Sequence, residues 1–290
     1  MSPARAFGVA LAAVCLGCAP SASEGDGGVD DAFVLVPLDV GDGLPQIDDL
    51  CRVGDGDAIL GLVANETLAC TSGADAPGPL FPTLPTLPSE YHALHTLCSH
   101  MNPAASTRDD LVDPALAIEL HDWIASQLSH PALVRALSGG PTDPEAQIAA
   151  LQAAWLGQNG FEHVFCGELD PTGSGVWGLH MWSEWALAES EGRANYQCTT
   201  AALDRHDVVT MRYQWTPEGR TTPANKPVGS FQVGMSPACM LALGYVAMQR
   251  HVQATAGASA SFHARIYDEE IGFSFVPMDG AIVTMFATEQ

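Results

Sequence analysis

The sequence predicts an α+β fold, with a helical N-terminal lobe followed by strand-rich lobes built of antiparallel sheets. Three observations carry that prediction. Between residues 89 and 157, apolar residues recur at helical spacing behind two Asp-Pro pairs. From Val209 to Trp215 they alternate with polar residues. Between 262 and 276, two short alternating runs flank an acidic turn. Helices first and strands later is the pattern of an α+β domain.

The elements follow in order. Asp113 stands before Pro114, an N-cap followed by proline at the first helical position. Leu116, Leu120, Trp123, Ile124 and Leu128 then mark one helical face, which His130-Pro131 stops. Asp143-Pro144 repeats the start signal, and Ile148, Leu151 and Trp155 line the next helix. Val209, Met211, Tyr213 and Trp215 alternate with Thr210, Arg212 and Gln214, the mark of a half-buried strand. Residues 228–234 read as another strand, and Ser236-Pro237 caps a helix to about Arg250. Phe262, Ala264 and Ile266 alternate, Asp268-Glu269-Glu270 turns the chain, and residues 271–276 return as a hairpin partner.

Residues 1–18 read as an export signal. Arg5 precedes an apolar run from Ala6 to Leu16, too short to span a bilayer. The run ends Cys15-Leu16-Gly17-Cys18, which resembles a bacterial lipobox with Cys18 as the lipidated residue. Ordinary cleavage near residues 19–23 is the alternative. Residues 19–88 read as an acidic, Gly- and Pro-rich tether with irregular structure, in which 33–36 forms a short strand. The main domain is then 89–290, divided into a helical lobe, 89–157, and an α+β region, 158–290. The expected location is outside the cytoplasm of a bacterial cell, as an outer-membrane lipoprotein or a secreted protein. No transmembrane helix is expected.

With 34 acidic residues against 11 basic ones, the chain has a formal net charge of −23. Such a surface argues against loose binding to polyanions or anionic membranes, but leaves room for a local site with its own cations. Six cysteines follow the signal, at 51, 70, 98, 166, 198 and 239. An even count in an exported chain points to disulfides, with the connectivity left open.

The chemistry concentrates in three places. His163 lies in Glu162-His163-Val164-Phe165-Cys166-Gly167-Glu168, and His180 stands 17 positions on, in Gly178-Leu179-His180-Met181-Trp182. Lys226 is the only lysine in the chain. Two imidazoles near neutrality supply a general base and a general acid, and a lysine steadies developing negative charge. That set suffices, without a metal, for RNA transesterification to a 2′,3′-cyclic phosphate. Spacing alone does not separate this pair from the other histidines, which more often pack or face solvent. His92 and His95, at i and i+3, read either as a metal pair or as ordinary helix residues.

The strings GFEHVFCGE (160–168), VWGLHMWSEWALAESEGRANYQC (176–198) and KPVGSFQVGMSP (226–237) resemble the EndoU endoribonuclease family. The resemblance implies an EndoU-like catalytic domain acting on single-stranded RNA, with catalytic His163, His180 and Lys226. It places Glu162 and Glu168 as supporting residues that orient the histidines or hold the local structure. It sets Ser230 and Ser274 at the substrate, and Trp177 is a candidate for stacking on a base. Where the family carries a Thr-x-Tyr-Pro segment, this chain has Ser274-Phe275-Val276-Pro277, so the stacking tyrosine is replaced by Val276. Phe275 or Phe273 then becomes the aromatic substitute. The His/His/Lys chemistry needs no cofactor. Some family members use Mn²⁺ or Ca²⁺, for which Glu162 and Glu168 are the candidate ligands. The alternative function is a non-catalytic EndoU-fold lipoprotein, a binding or interaction module.

Overall fold

The computed structural model describes residues 38–39, 78–84, 86–104, 109, 113–130, 133–134, 137, 140–199, 208–254, 260–266 and 269–288. The export signal with Cys18, the strand expected at 33–36, and Cys51 and Cys70 lie outside the described residues. Among the described residues, three helices with full bounds mark the N-terminal lobe: α1 (Ser89–His100), α2 (Pro114–Gln127) and α3 (Pro144–Leu156). The Asp-Pro signals act as expected. Asp113 accepts the N–H groups of Ala115 and Leu116, and Asp143 accepts that of Ala146. Each carboxylate satisfies donors that have no partner within the helix. Leu116, Leu120, Trp123 and Ile124 of α2 are buried, as are Ile148, Leu151 and Trp155 of α3.

The second half is strand-rich. A π-helical turn, Glu162–Cys166, leads into the short antiparallel pair β2 (Glu168–Leu169) and β3 (Val176–Trp177), and then into α4 (Trp182–Ser190). A three-stranded antiparallel sheet follows, β4 (Ala194–Thr199), β5 (Val208–Trp215) and β6 (Ala224–Gln232), in that order. After α5 (Pro237–Ala254) come β7 (Ala260–Ile266), β8 (Glu269–Met278) and β9 (Ala281–Thr288), an antiparallel meander. A two-residue strand, β1 (Leu38–Asp39), pairs in parallel on the outer side of β7.

Most of α5 is buried, and its start is capped as expected: Ser236 Oγ accepts the N–H of Cys239. A methyl group on Gly244 would stand 2.2 Å from a ring carbon of Trp155, so glycine lets α5 close on α3. The Trp155 indole N–H donates to the carbonyl of Leu241. This keeps a buried polar group paired inside an apolar contact.

Three expectations need correction. The strand expected at 228–234 begins four residues earlier, at Ala224. Between the pairs Met211↔Gly229 and Tyr213↔Lys226, β5 advances two residues while β6 advances three. The extra residue is a β-bulge, and it lets the strand continue through Pro227, which has no N–H to give a ladder. Second, β9 was not foreseen. Third, Leu80, Phe81 and Leu87, assigned to the tether, are buried in the core. The N–H groups of Leu80 and Phe81 both donate to the carboxylate of Glu189.

Candidate active site

The turn that carries His163 is set by what packs beneath it. Phe161 and Phe165 stack with ring centroids 4.7 Å apart, and Trp123 and Trp155 meet them edge-on. All four are buried, at about 1.5–3 kcal/mol for a large apolar side chain. Gly160 brings the turn against β9: a methyl group there would lie 2.2 Å from the carbonyl oxygen of Ile282. At the far end, Cys166 is disulfide-bonded to Cys98 of α1. Cys198 and Cys239 are disulfide-bonded as well.

A π-turn is wide, closed here by the Gly167 N–H on the Glu162 carbonyl. The next carbonyls face outward and are taken by the second histidine motif. Leu179 N–H donates to His163 O at 2.8 Å, and His180 N–H to Val164 O at 2.7 Å. This docking requires two consecutive left-handed residues, Gly178 (φ 63°) and Leu179 (φ 58°). At Gly178 a Cβ would lie 1.7 Å from His163 O. At Leu179 the conformation costs about 1–2 kcal/mol. The two histidine motifs are therefore fastened directly to each other through their backbones.

The rings are then aimed by different partners. His163 Nδ1 faces Glu168 Oε2 at 2.8 Å, and the other oxygen of Glu168 accepts the side-chain N–H of Asn159. His180 Nδ1 donates to the Ser230 carbonyl at 2.8 Å. A carbonyl only accepts, so the proton sits on Nδ1 and Nε2 carries the lone pair. Among the described residues, His180 Nε2 is buried and has no hydrogen-bond partner. The His180 ring also stacks on Phe286 of β9, with centroids 4.8 Å apart. Burial holds His180 well below the usual imidazole range, helped by the charges of Lys226 and His163 and opposed by the Ser230 carbonyl. The two imidazoles lie 6.1 Å apart, centroid to centroid.

Lys226 enters from β6, beside the bulge, and is 3% exposed. Gly229 gives its side chain room. A Cβ there would press on Tyr213 Cε1 at 2.6 Å and on Lys226 Cγ at 3.2 Å. Thus His163, His180 and Lys226, some 60 residues apart in sequence, share one electrostatic neighbourhood.

The other expected residues are placed as follows. Glu168 holds the His163 ring, while Glu162 is buried in the same turn. The Ser230 hydroxyl donates to the Ala287 carbonyl at 2.6 Å, so it is the Ser230 carbonyl that faces His180. Ser274 is half-buried and pairs across strands with Phe286, on the face that meets His180. Trp177 is half-buried and lies opposite Glu168. Phe273 and Phe275 are fully buried against Phe262 and cannot stand in for the missing tyrosine. Trp182 and Trp185 are core residues; the Trp182 indole donates to Met235 O. His95 bridges Glu184 and Glu191, so it serves as an ion-pair centre. Two residues were missed: Asn159, hinted at only by the Asn159-Gly160 turn dipeptide, and Phe286, for which no sequence signal existed.

Both oxygens of Glu168 are already engaged, by His163 and Asn159. Among the described residues, no group of three or more His, Cys, Asp or Glu side chains is arranged to hold a metal ion. No described helix is long and apolar enough to cross a membrane.

Residues 152–266 match the family model described as Endoribonuclease XendoU. The chain is 30% identical over 109 residues to the uridylate-specific endoribonuclease EndoU of Drosophila melanogaster. That match covers 33% of this chain and 32% of the relative, so the chain spans about a third of that protein's length. The fold is similar to the solved structure of XendoU, a splicing-independent snoRNA-processing endoribonuclease, with a TM-score of 0.55 and 18% identity. The structural match covers 80% of this chain and 95% of that one. The family-model match spans both histidines and the lysine, and the similarity of fold to XendoU extends well beyond it.

Proposed function

We propose that the protein cleaves single-stranded RNA by transesterification, with His180 as general base, His163 as general acid and Lys226 as the stabilising cation. His180 Nε2 takes the proton of a ribose 2′-OH. The 2′-oxygen bonds to phosphorus, the bond to the 5′-oxygen breaks, and His163 protonates that leaving oxygen. The products carry a 2′,3′-cyclic phosphate and a 5′-OH. Lys226 opposes the charge that builds on the phosphoryl oxygens.

The observation that carries this reading is the difference between the two imidazoles. His180 is held neutral, with its lone pair on Nε2. His163 is backed by a carboxylate, which favours the protonated ring. Two titratable groups set apart in this way are suited to base and acid roles.

The test is incubation of the purified chain with single-stranded RNA and analysis of the ends. Cyclic phosphate termini in the wild type, lost in His180→Ala and in His163→Ala, support the assignment. Equal cleavage by wild type and variants overturns it. Val276 offers no aromatic face at the position of the family's tyrosine, so base discrimination rests on other groups, with Ser274, cross-strand from Phe286, and Trp177, cross-strand from Glu168, as the candidates. Divalent ions, where they stimulate cleavage, act away from Glu168. Export, with a lipid on Cys18, completes the proposal. The disulfides support it, because such bonds persist in oxidising compartments. Mass analysis of the mature N-terminus checks the lipid.

A further inference from the structure

We propose that Asn159 is a positioning residue for the proton donor: it fixes His163 at both its backbone and its ring. The carbonyl of Asn159 accepts the N–H of His163 at 3.0 Å. Its side-chain amide donates to Glu168 Oε1 at 2.5 Å, and Glu168 Oε2 accepts from His163 Nδ1 at 2.8 Å. One residue thus determines where the turn places the histidine and how its carboxylate partner is rotated.

The local conformation supports this assignment. Asn159 is left-handed, with φ 61°, in the middle of the link, residues 157–161, between α3 and the catalytic turn. Asparagine is one of the few side chains that adopts this backbone readily, and its short amide then reaches back to nearby groups. Glycine would suit the backbone equally well but has no amide to offer. Glu168 lies on the two-residue strand β2, which is too short to fix a carboxylate through its own ladder. Without Asn159 the carboxylate keeps its bond to His163 but loses the one from its other oxygen, so its rotation, and with it the acceptor of the His163 ring, is held less firmly. Partners of this kind orient a reactive imidazole and raise its basicity.

The inference rests on the proposed role of His163, but its test does not require RNA. Asn159→Gly keeps the left-handed backbone and deletes only the amide. In the wild type and this variant, the His163 ring is titrated by NMR. The expected result is a midpoint lower by about half a pH unit or more in Asn159→Gly. In a Glu168→Gln background the same substitution should shift the midpoint far less, because Asn159 acts through Glu168. An unchanged midpoint, or an equal shift in both backgrounds, overturns the proposal. Should Asn159→Gly not fold, the wild type still decides: the Asn159 amide protons should move with the titration of His163, and static amide resonances overturn it. With RNA, Asn159→Gly should lower kcat about ten-fold with little change in KM, and the alkaline limb of the profile should move to lower pH by the same interval. Absence of RNA cleavage by the wild type would reject the functional reading while leaving the titration to judge Asn159.

Discussion

His180 donates its Nδ1–H to the carbonyl oxygen of Ser230, and that one bond selects which nitrogen can act as a base. A carbonyl on β6 cannot be titrated and cannot be removed by substitution. The tautomer is therefore independent of pH for as long as the strand stays in register. Burial then keeps the ring from taking a second proton.

The acid limb of kcat/KM should consequently lie well below pH 6.5. Activity should persist at acidities where an exposed imidazole, at about 6.5, is already protonated. The stability consequence has the opposite sense. Below about pH 6.5 the unfolded chain takes up a proton that folded His180 refuses, so stability falls as the pH drops from there toward the folded value. Above that range the contribution is absent. Thermal melts of wild type and His180→Gln from pH 5 to 8 test this. The variant should gain on the wild type only on the acid side.

Lys226→Ala should affect both rate and pH profile. Loss of a cation at the developing charge is expected to lower kcat by about 10²–10³. The same cation depresses the proton affinity of His180, so the acid limb should move up toward 6.5. Lys226→Arg should rescue poorly, because a buried site would have to take a broad planar guanidinium in place of a compact ammonium. A fall in rate with an unmoved limb would separate Lys226 from His180.

How much of this was legible beforehand differs from element to element. Asp113-Pro114 and Asp143-Pro144 announced their helices because capping is a local interaction, written in adjacent residues. The alternation of β5 was equally plain, since one of its faces is covered and the other is not. β9 was missed because its burial does not alternate: it packs against α3 and β6 as well as pairing with β8. The start of β6 was hidden by Pro227, which the bulge accommodates. Family-like motifs pointed to His163, His180 and Lys226. Spacing could not decide between Glu162 and Glu168, because the register of a π-turn is set by tertiary packing and not by its own residues.

Gly178→Ala tests the docking of the two histidine motifs. A methyl group there would overlap His163 O, and the left-handed backbone adds about 1–2 kcal/mol. The melting temperature should drop by about 5 °C or more, with activity lost even in the folded fraction. Retention of full activity would mean that the contact of Leu179 with His163 is dispensable.

Reduction of the disulfides should weaken the turn from beneath. Cys98 and Cys166 are 68 residues apart, and closing a loop of that size is worth up to about 4 kcal/mol. Cys98→Ser should lower the denaturation midpoint without altering the wild-type pH limbs, because neither cysteine touches a reacting atom. A shifted limb would show that α1 helps to aim His163.

The hydrogen bonds of Leu179 and His180 to the π-turn have a mechanical consequence. Both histidines ride on a single rigid mount, whereas Lys226 is carried by a separate strand. Two ties join β6 to that part of the chain: the bond from His180 to the Ser230 carbonyl, and the Asn225 N–H, one residue before Lys226, on the carbonyl of Ser174. Alignment of acid and base is built into one part, and alignment of the cation depends on how β6 is tied to it.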